Sequence, residues 1–149
     1  MAEIRVGEPA PDFTLPDQDG KMVALAYLRG GPVVLYFYPK DFTSGCTQEA
    51  CHFRDSYEDF TEVGAKVVGV SGDSAASHRG FIEKYLLPFT LLSDSDGSVR
   101  QLYGIKGRIF PDRVTFVIDK DGVVRDIFSS KTDMKAHVTR ALEIIKSIR

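Results

Sequence analysis

The sequence predicts an α/β domain: a central mixed sheet flanked by helices, entered through an N-terminal β-hairpin. Three observations carry that reading. Residues 32–38 (Pro-Val-Val-Leu-Tyr-Phe-Tyr) form a continuous apolar run of strand length, and 66–71 and 114–118 are similar, as expected of strands covered on both faces. Between and after these runs, apolar residues recur at helical spacing. Asp-x-Asp-Gly pieces at Asp17, Asp94 and Asp119 punctuate the chain as turns, because Asp bonds its own downstream backbone and Gly accepts left-handed angles. A calcium loop would instead need Gly at its sixth position and Glu at its twelfth, where Leu28, Ile105 and Ser130 stand.

Taken in order, 13–15 and 22–25 pair as a hairpin around Pro16-Asp-Gln-Asp-Gly20, and 24–28 make a helical turn before Gly30-Gly31. After the strand at 32–38, a helix runs from Cys46 to about Glu62. Cys46, Ala50, Phe53, Tyr57 and Phe60 share one of its faces, and Gly64 stops it. A strand at 66–71 leads to a helix over 74–86 with Phe81, Ile82 and Tyr85 inward. A short strand at 89–92 and a short helix at 98–103 follow. Strands at 114–118 and 123–128 then pair across Asp119-Lys-Asp-Gly122. The last helix begins near Asp133, with Met134, Val138, Ala141, Leu142, Ile145 and Ile148 on one stripe. Strand–helix alternation closed by a hairpin and a helix suits a thioredoxin-like sheet, in one domain spanning 1–149.

Composition narrows the function. The net charge is −2, from 19 basic and 21 acidic residues, and no basic run points to nucleic acid or an anionic membrane. No apolar run approaches the roughly 20 residues of a membrane helix. The opening Met-Ala-Glu-Ile-Arg-Val-Gly lacks the basic and apolar regions of a secretory leader, so a cytoplasmic location is expected. There, a lone cysteine pair such as Cys46 and Cys51 is more often catalytic or metal-binding than a structural crosslink. Two inert thiols are the plain alternative.

Cys46 falls where its helix begins, so the positive end of the helix dipole and several unpaired N–H groups favour its thiolate, the nucleophilic form. Cys51 is five residues on, about 140° around the helix and about 8–9 Å away between Cα atoms. A disulfide tolerates at most about 7 Å, so if the two pair, the first turns must unwind.

Pro39-Lys-Asp-Phe-Thr43-Ser-Gly-Cys46 resembles the Pro-x-x-x-Thr-x-x-Cys signature of peroxiredoxins. Cys46-Thr-Gln-Glu-Ala-Cys51-x-Phe-Arg-Asp55 is similar to the peroxiredoxin Q, or bacterioferritin comigratory protein, branch. The likeness runs from Gly7-Glu-Pro-Ala-Pro-Asp-Phe13 through Leu87-Pro-Phe89 and Leu91-Leu-Ser-Asp94 to Arg113-x-Thr-Phe-Val-Ile-Asp119. It implies a thiol peroxidase in which Cys46 attacks the peroxide and becomes a sulfenic acid. It further implies that Cys51 resolves this acid to an intramolecular disulfide, which thioredoxin or a similar dithiol protein reduces. Arg113 would stabilise the charge on the leaving oxygen, Thr43 would bond the sulfur or the peroxide, Pro39 would shield the sulfur from water, and Glu49 would orient Arg113. The resemblance implies no metal and no organic cofactor, and an intramolecular resolving cysteine implies a monomer.

The sequence departs from the usual pattern of this branch at Phe42 and Ser44, where an acidic or polar residue and a proline are more common. Phe42 is expected to widen the apolar lip of the site and favour organic hydroperoxides. Each assignment has an alternative: Arg113 as a surface ion-pair partner, Thr43 as a simple helix cap, Glu49 as a solvated charge, Cys51 as an inert thiol. Two rival functions stand beside the peroxidase. A thioredoxin-type disulfide oxidoreductase would carry Cys-x-x-Cys, and the spacing here is longer. A metal module would recruit Cys46, Cys51, His52 and His78, but zinc ligands favour two close pairs, and His78 reads as a core-margin histidine.

Overall fold

A computed structural model, describing residues 4–107 and 111–148, bears out the predicted architecture. Met1–Glu3, where the leader reading begins, lie outside the described residues. Strands β1 (Thr14–Pro16) and β2 (Met22–Ala24) form the antiparallel hairpin, with Leu15 opposite Val23. In its loop Asp17 accepts from the Asp19 and Lys21 N–H groups at 2.8 and 3.0 Å. Asp94 and Asp119 likewise turn their carboxylates on nearby backbone amides, so all three Asp-Gly pieces close turns.

The main sheet contains β3 (Val33–Phe37), β4 (Lys66–Ser71), β5 (Thr90–Ser93), β6 (Val114–Ile118) and β7 (Val124–Ser129), in the order β5-β4-β3-β6-β7. It is mixed because β3 pairs parallel with β4 on one side and antiparallel with β6 on the other. Every residue of β3 is buried: Val33, Leu35 and Phe37 enter one core cluster, Val34 and Tyr36 the other. Burial on both faces is why this strand reads as an unbroken apolar run.

The second cluster is filled by α1 (Ser44–Asp55), α2 (Tyr57–Glu62) and α5 (Met134–Ser147), with Phe81 of α3 (Ala75–Tyr85). The first is closed by the hairpin, the 3-10 turn Leu25–Leu28, and α4 (Ser98–Leu102), which supplies Val99. Fully buried Phe53 stacks on Tyr36 at 4.6 Å, and burying each such aromatic contributes roughly 2–3 kcal/mol. That packing holds the C-terminal half of α1 against the sheet.

One boundary differs from expectation in a way that matters. The helix read from Cys46 to about Glu62 is two helices, broken at Ser56 (φ −102°, ψ 6°). His52 and Arg54 in the last turn of α1, and Glu58 and Asp59 in the first turn of α2, suit the opposite dipole ends that meet there. Phe53 and Phe60 both remain fully buried across the break, so the apolar period continues and hides it. At the other end α1 begins two residues before Cys46, which places the thiol inside the first turn.

Candidate active site

The apolar β3 delivers the chain to the loop at 38–43, and Thr43 (φ −75°, ψ 152°) turns it into α1. Ser44, Gly45 and Cys46 are the first three residues of the helix, so their N–H groups have no partner within it. The Thr43 side chain does not cap them: its hydroxyl donates to the Lys40 carbonyl at 2.7 Å. The helix end is therefore left open toward the sulfur, and the Thr43 oxygen keeps its lone pairs.

Cys46 is 1 % exposed, and both cysteines are free thiols. Arg113, at the entry to β6, reaches the same spot. Its Nη1 donates to Glu49 Oε1 at 2.6 Å, and both side chains are buried. Burial works against the charge on Arg113, but Glu49 and Cys46 beside it raise its proton affinity above that of an ordinary guanidinium. Burial also pushes the Glu49 carboxyl up to about 7, against the pull of Arg113. Arg113 and the start of α1 thus put positive potential at the sulfur from two sides.

Gly45 permits this approach. A Cβ there would stand 2.8 Å from Met134 Cε and 3.0 Å from Arg113 Nη2. Gly45→Ala should displace the guanidinium and lower the rate constant for Cys46 oxidation by roughly 10- to 100-fold, measured by competition kinetics. Above the site, Pro39, Pro111, Arg113 and Lys131 line a mouth of about 110 Å³. Phe42, half-exposed at φ 66°, is not among these lining residues; its ring packs toward α3, 5.1 Å from Phe81 and under Lys84 Nζ at 5.9 Å.

Of the expected residues, the structure brings Cys46, Glu49 and Arg113 together, sets Pro39 at the mouth, and places Thr43 at the helix cap. Cys51 is half-buried on the same unbroken helix, about 8–9 Å from Cys46 between Cα atoms. The set Cys46, Cys51, His52 and His78 is not assembled. Among the described residues, one group of three metal-ligating side chains converges: Asp41, Asp73 and His78. His78 is no margin residue but fully buried, its Nδ1 2.7 Å from Asp41 Oδ2 and its Nε2 3.0 Å from the Leu92 carbonyl. Asp41 also accepts from the hydroxyls of Tyr38 at 2.6 Å and Ser77 at 2.9 Å, which fixes the loop ahead of α1.

Sequence reasoning passed over Gly45, Asp41, Thr115 and His137. His137 shares the stripe of α5 with Val138 and Ala141, and its helical spacing from Met134 and Ala141 is the signal the sequence offers.

A buried thiol at a helix start, paired with a buried guanidinium on a thioredoxin-like sheet, defines a thiol peroxidase. Comparison with known proteins gives the family. Residues 6–127 match the AhpC/TSA family. Peroxiredoxin Q, chloroplastic, of Oryza sativa subsp. japonica is 50 % identical over 149 residues, covering 98 % of this chain and 69 % of that protein. The crystal structure of the peroxidoxin BcpB of Mycobacterium tuberculosis superposes with a TM-score of 0.93 at 42 % identity, covering 99 % of both chains. The bacterioferritin comigratory protein of Xanthomonas campestris, a structure concerned with alkyl peroxide reduction, gives 0.85 at 31 % identity over 91 % of each. The chain belongs to the AhpC/TSA peroxiredoxins, in the peroxiredoxin Q branch.

Proposed function

We propose that this single-domain protein reduces hydrogen peroxide and organic hydroperoxides through Cys46. The thiolate attacks the terminal peroxide oxygen; the O–O bond breaks, Cys46 gains the hydroxyl as a sulfenic acid, and the other oxygen leaves as hydroxide or alkoxide. Arg113 and the open N–H groups at the start of α1 stabilise that oxygen, Thr43 bonds the peroxide, and Pro39 keeps water from the sulfur. Glu49 holds Arg113 in place. The Cys51 thiol then attacks the sulfenic acid, water departs, and thioredoxin or a similar dithiol protein reduces the disulfide. The observation that supports this best is the buried Arg113–Glu49 pair set directly against Cys46.

A chain with its own resolving thiol needs no second copy, so the working unit is a monomer. Among the described residues, no helix is long and apolar enough to cross a membrane. Several plant relatives are named as chloroplastic. For this protein we place the reaction in the reducing cytoplasm, where free thiols persist.

Mass spectrometry after one equivalent of peroxide tests the scheme. Wild type should lose two hydrogens, Cys51→Ser should retain a trappable sulfenic acid, and no change in either would remove the peroxidase assignment. The half-exposed Phe42 lies in the loop between Pro39 and Thr43, and as an apolar lip to the site it would favour organic hydroperoxides, so Phe42→Asp should slow cumene hydroperoxide about tenfold more than hydrogen peroxide. Equal losses with the two substrates would show that the ring does not select.

A further inference from the structure

Among the described residues, three buried side-chain polar atoms have no hydrogen-bond partner: Tyr36 Oη, Glu49 Oε2 and Arg113 Nε. Two of them belong to the ion pair beside Cys46. Glu49 Oε1 takes Arg113 Nη1, while Oε2 faces His137 Nδ1 at 3.6 Å, just beyond hydrogen-bond reach. His137 is fully buried on α5, and its Nε2 lies 2.8 Å from the Ser130 carbonyl. A carbonyl only accepts, so Nε2 carries a proton. Nδ1 lies 2.7 Å from Thr115 Oγ1, a hydroxyl that can donate or accept. The ring can therefore be neutral, with Nδ1 accepting from Thr115, or cationic, with an Nδ1 proton facing Glu49.

Charge balance makes that choice matter. When Cys46 is a thiolate, it and the Arg113 guanidinium cancel. An ionised Glu49 beside a neutral His137 would then leave a net negative charge in a site that excludes water, which is costly. One proton on either Glu49 or His137 restores the balance. Glu49 follows Cys46 by three residues on α1, one turn along the same face.

We infer that Glu49 Oε2 and His137 Nδ1 hold one proton between them, and that His137 is a positioning residue of the peroxidase site. When the S–H bond of Cys46 breaks and its proton leaves, the pair takes up a proton, and the guanidinium is left to face the sulfur instead of a full carboxylate. The inference rests on Cys46 being the peroxide-reducing thiol. The two proton affinities shift in opposite senses from their ordinary values: burial raises Glu49 against Arg113, and burial lowers His137, with Arg113 lowering it further while the Ser130 bond and Asp133 raise it. The remaining groups that face the pair are Cys46 on α1, Arg113 just before β6, Thr115 on β6, and Tyr36 on β3. The Phe128 ring of β7 meets His137 edge-on at 4.8 Å and carries no charge. The proton belongs to the pair, so its titration has one shared midpoint.

The test follows the ring nitrogens of His137 by NMR in the reduced full-length protein, from about pH 5 to about pH 9, with the peroxide rate constant measured in parallel. In wild type, the ring and the rate should share an inflection. Glu49→Gln removes the anion and should move the His137 midpoint down by about one pH unit or more. His137→Gln should move the inflection of the rate by a similar amount. A His137 midpoint unaffected by Glu49→Gln would overturn the inference. So would a His137→Gln profile lowered uniformly at every pH with its midpoint unmoved, which is what a merely structural role predicts. Wild-type protein that consumed no peroxide would overturn the peroxidase assignment instead, and the ring nitrogens would still decide the pair.

Discussion

Protein carrying Cys51→Ser should consume one peroxide per chain and then stop, whereas Cys46→Ser should consume none. With a thioredoxin system as reductant, steady-state turnover should fall in both by on the order of 10⁴-fold or more, because in the proposed scheme the missing group is the nucleophile in one case and the resolving thiol in the other. The single turnover left in Cys51→Ser separates the two roles, and a Cys51→Ser protein that cycled normally would remove Cys51 from the mechanism. The geometry adds a structural consequence. Residues Ser44–Asp55 form one continuous helix, and its pitch keeps the two Cα atoms about 8–9 Å apart, beyond the roughly 7 Å that a disulfide spans. A Cys46–Cys51 disulfide would therefore require part of α1 to unwind. The C-terminal half is the fixed part, since Phe53 stacks on Tyr36 and Arg54 Nη1 donates to the Tyr85 carbonyl at 2.7 Å. Thr43, Ser44 and Gln48 are exposed, and little holds the first turns beyond Cys46 and Glu49. Hydrogen exchange in the oxidised protein should lose protection over residues 47–51 while Phe53 and Arg54 keep theirs.

The fold was legible because its signals are periodic. Five consecutive buried residues in β3 announce a two-sided strand, and the stripe of α5 announces an amphipathic helix. The break at Ser56 was hidden because the apolar spacing passes through it unchanged. The site was legible where local geometry and motif coincide: Cys46 three residues past the cap, and Arg113 at a strand entry. Its supporting contacts were not. Asp41 meets His78 across 37 residues, and Thr115 meets His137 across 22. No local pattern distinguishes a histidine that completes a buried polar contact from one that sits at the edge of an apolar stripe. Glu49 carries the same lesson, for its helical position permits a solvated charge, and only the arrival of Arg113 from β6 explains its burial.

Arg113→Gln should lower the rate constant for peroxide by about 10²- to 10³-fold, the usual loss when one preorganised donor to a developing oxyanion is removed. Arg113→Lys should recover little of it, because the planar guanidinium serves Glu49 and Cys46 at once and an ammonium cannot copy that fork. The same substitution touches stability with a definite sign in pH. The folded-state Glu49 carboxyl lies at about 7, above its ordinary value of 4.5, so the folded chain binds the extra proton and stability falls as pH rises through that window. Arg113 is the group that pulls Glu49 down, so without it the window extends to higher pH. Denaturant titrations of Arg113→Gln should therefore match wild type most closely at acid pH. They should fall behind by roughly 3–5 kcal/mol once Glu49 must ionise without its partner. Adding Glu49→Gln to Arg113→Gln removes the buried charge and should restore stability while leaving the rate low. Recovery of the rate in the double variant would mean that Arg113 acts only by neutralising Glu49, whereas rescue of stability alone assigns it to the reacting oxygen.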